Sequence, residues 1–168
     1  LDTQLLEQIT SGKMGDQSKE FLKHGMGNGY EVITLESGET LAIVHLGCRL
    51  FMGEGALDIP PPFWAMEELL AKELAHVDHV FVDLHGEATS EKQAFGFAFD
   101  GRVSAVIGTH THIQTGDARV LPQGLGYLTD VGMCGSKDSV IGFTKAGAIA
   151  RVSLSKEKLA YSVEKNHL

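Results

Sequence analysis

The stretch from His79 to Ile107 constrains the fold more than any other part of this sequence. His79-Val-Phe-Val-Asp-Leu-His85 is a nearly continuous run of β-forming residues, and Val103-Ser-Ala-Val-Ile107 is a second. Such apolar runs are expected of strands buried on both faces. Between them, Ser90 and Gln93 have the spacing of a capping box for a helix over Glu91 to Phe99, and Gly101 stops that helix. Strand, helix and strand within about 30 residues make a βαβ unit, whose right-handed crossover sets the two strands parallel.

The flanking sequence extends the same α/β pattern. Tyr30-Glu-Val-Ile-Thr-Leu35, a short Glu-Ser-Gly-Glu connection and Thr40-Leu-Ala-Ile-Val-His-Leu46 read as a hairpin. The prolines at 60 to 62 close an irregular segment and suit the first turn of a helix. That helix is expected over residues 63 to 74, packing Phe63, Met66, Leu70 and Leu74. Gly126 to Val131 reads as a further strand, and Ala148 to Leu154 with Leu159 to Val163 as a final strand pair. Residues 1 to 29 read as a short helix and a loop. No repeat or linker interrupts the chain, so residues 1–168 are taken as a single α/β domain.

Composition excludes several functions. The chain carries 14 Lys and Arg against 22 Asp and Glu, a net charge of −8, and the basic residues are scattered. Bulk nucleic-acid binding needs a clustered basic surface to displace counterions, so charge argues against it. No apolar run is long enough to span a membrane, and the first residues have no basic and apolar leader pattern. Cys48 and Cys134 are too few for a disulfide framework, and a reducing, cytoplasmic home is the expectation.

Eight histidines in 168 residues point to the chemistry. His85 follows the first strand of the βαβ unit, and His110 and His112 follow the second in Gly108-Thr-His-Thr-His112. Ligands of open α/β sheets bind at the carboxyl ends of parallel strands, so neighbouring strands would bring three imidazoles to one edge as metal ligands. On an extended segment an H-x-H pair aims both rings to one side, and Gly108 would let the backbone turn just before it. His24, His45, His76, His79 and His167 read as structural or solvated, with His45, at the end of the Thr40–Leu46 strand, the one to watch.

Three carboxylates accompany the histidines. Asp83 and Glu87 flank His85 by two residues on either side and could orient a ligand imidazole. Glu87 could equally favour the N-terminus of the following helix, as Glu91 is expected to do. Asp130 could reach the histidines or cap the loop after it. Cys134 has no signature of a nucleophile, and no glycine-rich phosphate motif is present. Imidazoles in an acidic chain suggest a divalent ion that activates water against an electrophile.

The segments Phe81-Val-Asp-Leu-His-Gly-Glu-Ala-Thr-Ser-Glu-Lys92, Gly101-Arg-Val-Ser-Ala-Val-Ile-Gly-Thr-His-Thr-His-Ile-Gln-Thr115 and Gly126-Tyr-Leu-Thr-Asp-Val-Gly-Met133 resemble the calcineurin-like metallophosphoesterases of the YmdB type. The likeness runs from about residue 25 to 142. His45 stands where that family more usually has Asn. The resemblance implies an α/β metallophosphoesterase-like β-sandwich, two sheets flanked by helices. It implies a dinuclear Fe or Mn site, with Zn also compatible, in which His85 and His110 hold one ion and His112 the other.

The implied activity is hydrolysis of 2′,3′-cyclic nucleotides or related phosphoesters by a metal-activated hydroxide, with a small phosphoester as substrate. The family's GD, GEN and GNH motifs, the last carrying its catalytic His, are missing, so only the C-terminal portion of the fold is expected here. A homo-oligomer or a complementing N-terminal half would be the partner. Two rival readings are a non-catalytic interaction module of the same fold and a relative of the capsule or polyglutamate-synthesis metalloenzymes.

Overall fold

The computed structural model describes residues 29–54, 59–153 and 162–164. In chain order the elements are β1 (Tyr30–Thr34), β2 (Thr40–Gly47), α1 (Pro62–Ala71), β3 (His79–His85), α2 (Thr89–Ala98), β4 (Ala105–Thr109), β5 (Arg119–Val120), β6 (Gly126–Leu128) and α3 (Lys145–Val152). The strands form one six-stranded sheet in the order β1-β2-β3-β4-β6-β5. β2, β3, β4 and β6 run parallel, and β1 and β5 pair antiparallel at the two edges.

Two crossovers in succession, β2-α1-β3 and β3-α2-β4, step the same way along the sheet. Right-handed crossovers with a common direction place their helices on a common face. The burial pattern agrees. Val44, Val82, Leu84 and Val106 are fully buried and share one core with Met66 of α1, Phe95 of α2 and Phe99 at its C-cap. Phe63, Phe95 and Phe99 interlock there, with ring centroids 4.5–6.2 Å apart.

The opposite sheet face is more open. β3 alternates between buried and half-buried residues rather than lying buried on both faces as its composition suggests. Val80, Val82 and Leu84 face the helices, whereas Phe81, Asp83 and His85 face away; Ile43, beside Phe81 in register, is 45% exposed. Among the described residues no second sheet covers this side. The α/β architecture is therefore as expected, with one sheet of it described.

Several boundaries differ from expectation. α2 begins at Thr89 with Ala88 at its N-cap and no side-chain cap, so Ser90 and Gln93 both lie inside the helix and form no capping box. The second strand of the unit runs from Ala105 to Thr109, not Val103 to Ile107. Regular pairing of the next strand stops at Leu128, and Val131 makes only an isolated bridge with Gln114.

The segment from Ala148, expected as a strand, belongs to helix α3. Lys145, three alanines and Arg151 are strong helix formers. Ile149 and Val152, which suggested a strand, are 60% and 80% exposed and meet no sheet. Val163 makes an isolated bridge with Phe143, while the rest of the expected Leu159–Val163 strand, like the helix and loop expected over residues 1 to 29, lies outside or at the edge of the described residues.

Gly108 acts by close approach rather than by turning the chain, since it has no positive φ. A Cβ there would lie 1.7 Å from the Thr129 carbonyl oxygen and 2.8 Å from Lys92 Cδ. Gly108→Ala is expected to cost roughly 1–3 kcal/mol through overpacking, measured by denaturant unfolding.

Cys48 is fully buried and Cys134 exposed. Burial, with the nearby Glu91 carboxylate, pushes the Cys48 thiol up to about 12. At pH 8 the native protein should therefore show one thiol reactive toward a disulfide reagent, and the second only after unfolding. Two rapid thiols in the native protein would contradict this packing.

Candidate metal centre

β2, β3 and β4 end together, and their parallel register sets His45 opposite Asp83, Leu84 opposite Gly108, and His85 opposite Thr109. A chain of hydrogen bonds follows on the open side of the sheet. His45 Nδ1 lies 2.8 Å from Asp83 Oδ2, and the Thr109 hydroxyl donates to Asp83 Oδ1 at 2.8 Å. Having given its proton to the carboxylate, the Thr109 oxygen accepts from His85 Nδ1 at 3.1 Å. This order of donors fixes the His85 tautomer and leaves its Nε2 with a free lone pair.

His110 Nδ1 sits 3.1 Å from that Nε2, and His110 Nε2 sits 3.1 Å from Glu87 Oε2. Burial, then the neighbouring His110 and His45, lower the His85 pKa below the usual histidine value. At neutral pH His85 therefore stays uncharged, the form that binds a metal. Two imidazole nitrogens bound to one ion at about 2.0–2.1 Å and a right angle stand about 3 Å apart. The 3.1 Å contact is a hydrogen bond between the rings, and two donors of one ion would stand at a similar separation once both nitrogens are unprotonated.

His112 does not join the pair. Its Nδ1 donates to the Ile141 carbonyl at 3.2 Å. The H-x-H segment is not extended, because His110 has φ +113° and His112 φ +64°. Two left-handed residues destroy the period-two alternation that would have aimed both rings alike. Among the described residues, the non-glycine positions with positive φ are these two histidines, Ile141, which accepts from His112, and Phe51. Bulky residues hold such backbone at a cost, and such strain concentrates at functional sites. Among the described residues no group of three or more His, Cys, Asp and Glu side chains is placed to hold an ion.

The carboxylates separate into four roles. Asp83 orients His85 through Thr109, and Glu87 pairs with His110. Glu91 stands in the first turn of α2 and accepts the backbone N–H groups of Arg49 and Leu50 at 2.9–3.2 Å. Asp130, fully buried, caps the histidine loop from behind by accepting from the N–H groups of Thr111 and Gly132, each at 2.9 Å. Burial alone would raise its carboxyl, but these hydrogen bonds and the charge of Lys92 hold it below the usual carboxylate range.

Lys92 is the residue that sequence reasoning missed. It is fully buried, with Nζ 3.2 Å from the Thr109 carbonyl and 3.3 Å from Asp130 Oδ2. A signal was present: Lys92 falls on the helical stripe of Phe95, Gly96 and Phe99, an apolar face where an ordinary surface lysine has no place.

Known proteins resemble this chain in sequence and in fold. A family model described as YmdB-like protein matches residues 18–168. The 2′,3′-cyclic-nucleotide 2′-phosphodiesterase of Bacillus subtilis (strain 168) is 45% identical over 118 residues, which are 68% of this chain and 42% of that protein. A crystal structure of a hypothetical protein from Thermus thermophilus superposes with a TM-score of 0.76 at 39% identity, covering 86% of this chain and 54% of that one. A crystal structure described as a novel phosphatase from Mycoplasma pneumoniae gives 0.72 at 34% identity, covering 88% and 50%. This chain thus spans about half, or less, of the length of these relatives. A family model that takes in residues 18–168, with solved structures that share the fold at 34–39% identity, identifies the chain as a member of the YmdB-like family.

Proposed function

We propose that this chain carries the histidine-bearing part of a metal-dependent phosphoesterase acting on 2′,3′-cyclic nucleotides or related phosphoesters. One observation carries the reading: His85 Nε2 and His110 Nδ1 converge 3.1 Å apart at the sheet edge of a chain 45% identical to a cyclic-nucleotide phosphodiesterase. His85 and His110 hold the first ion, Fe or Mn in preference to Zn. His112, with Nδ1 engaged by Ile141, keeps Nε2 for a second.

A divalent ion, when bound, supplies Lewis acidity toward phosphoryl oxygens and lowers the pKa of its water. The chain's residues prepare for it. Thr109 and Asp83 lock the His85 ring, and Glu87 offsets positive charge beside His110. With a net charge of −8 and scattered Lys and Arg, phosphate affinity rests on bound cations rather than on a basic surface.

Further ligands come from polypeptide beyond these residues, laid against the open sheet face. It is contributed in the same chain, by a complementing half or within a homo-oligomer. Two free cysteines and the lack of a long apolar helix among the described residues are in keeping with a cytoplasmic protein. A second reading, a non-catalytic module that kept the sheet, is favoured by the lack, among the described residues, of a third donor placed with His85 and His110.

Calorimetric titration with Mn²⁺ or Zn²⁺ separates the two. His85→Ala and His110→Ala should each weaken the first ion at least tenfold, while His112→Ala leaves it within about threefold; Asp83→Asn should weaken it about 10–100-fold through the lost orientation of His85. No binding by the wild-type chain supports the non-catalytic module. Binding indifferent to His85 and His110 would contradict the assigned site, and a metal-loaded assembly inert toward 2′,3′-cyclic AMP would contradict the assigned substrate.

A further inference from the structure

Lys92 and Asp130 meet in a buried ion pair, with side chains 1% and 0% exposed. Such pairs add little net stability over apolar residues of the same volume, so their presence calls for another explanation. Their remaining partners supply one. Lys92 Nζ donates to the carbonyl of Thr109, and Asp130 Oδ2 accepts from the N–H of Thr111. These two backbone groups flank His110. The pair therefore grips the chain immediately before and immediately after the residue whose φ is +113°.

Neighbouring contacts tighten the grip. Lys92 Cδ closes on Gly108, where any Cβ would collide with it, and the Val131 N–H donates to the Gly108 carbonyl at 2.9 Å. Asp130 Oδ1 is occupied by the Gly132 N–H. Neither charge reaches solvent or touches an imidazole directly.

We propose that Lys92 is a positioning residue: paired with Asp130, it clamps both sides of His110, imposes its left-handed backbone and so aims Nδ1 at His85 Nε2. Why that aim matters rests on the metal-site reading above, but the clamp itself can be tested without metal or substrate. Failure of the one is therefore distinguishable from failure of the other.

The test is side-chain ¹H–¹⁵N NMR of the histidine rings in the metal-free protein. The double variant Lys92→Met with Asp130→Asn removes both charges together and so buries no uncompensated one. It should keep the wild-type far-UV circular dichroism and cooperative unfolding, yet lose the ring-to-ring contact between His85 and His110. Exchange of the His110 ring N–H proton should rise at least tenfold, with the His45 signals unchanged.

Asp130→Asn alone keeps the bond from Lys92 to the Thr109 carbonyl and should show a smaller change in the same direction. A folded double variant with the wild-type His110 contact and exchange rate would overturn the proposal. Unfolding of both variants would also overturn it, by making the pair a support of the fold rather than of His110.

Discussion

The parallel register of three strands is the constraint on which the rest of the site depends. Because His45 pairs with Asp83 and His85 with Thr109, four polar side chains of the open face reach the sheet edge in line. A shift of one residue in either ladder would send this set to the helix-covered face. That register is held by alternation on the other side, where Val44, Val82, Leu84 and Val106 are fully buried under α1 and α2. The apolar core thus sets which imidazole nitrogen meets which acceptor, although it touches none of them.

The register ends at Thr109, and a second device takes over beyond it. His110 lies outside the ladder, in backbone that no hydrophobic pattern specifies. Its placement falls to the buried Lys92–Asp130 pair, which joins α2 to the loops after β4 and β6. Gly108 is what lets these parts approach: the Thr129 carbonyl and the Lys92 stem share the space a side chain would fill. The hydrogen bonds of Thr109, Asp83 and Glu87 then settle the rings. Strain at His110 is sustained by surroundings that over-determine it.

The sequence made some of this legible for identifiable reasons. The His79–His85 strand was readable to its ends because β-forming residues run unbroken there, and the βαβ order fixed which strands would neighbour. His85 and His110 could be placed from strand ends alone. His112 could not, since its direction depends on a φ of +64° that a Thr-His-Thr-His string does not announce. Asp130 was open between two roles because capping a loop and facing a histidine need the same position. Ala148–Leu154 misled because Ile149 and Val152 have strand character, while small residues at 147, 148 and 150 supply the packed helical face. Lys92 is invisible in the total charge and stands out only by its position on the apolar stripe of α2.

Among the described residues the face that carries His45, Asp83 and His85 is open and His85 and His110 stand as a pair. The most direct test of the central claim is an anomalous difference map from crystals of this protein grown with Mn²⁺ or Zn²⁺. A peak about 2.0–2.2 Å from both His85 Nε2 and His110 Nδ1 is the predicted result. No peak between these rings, or one confined to His112, would contradict the assignment.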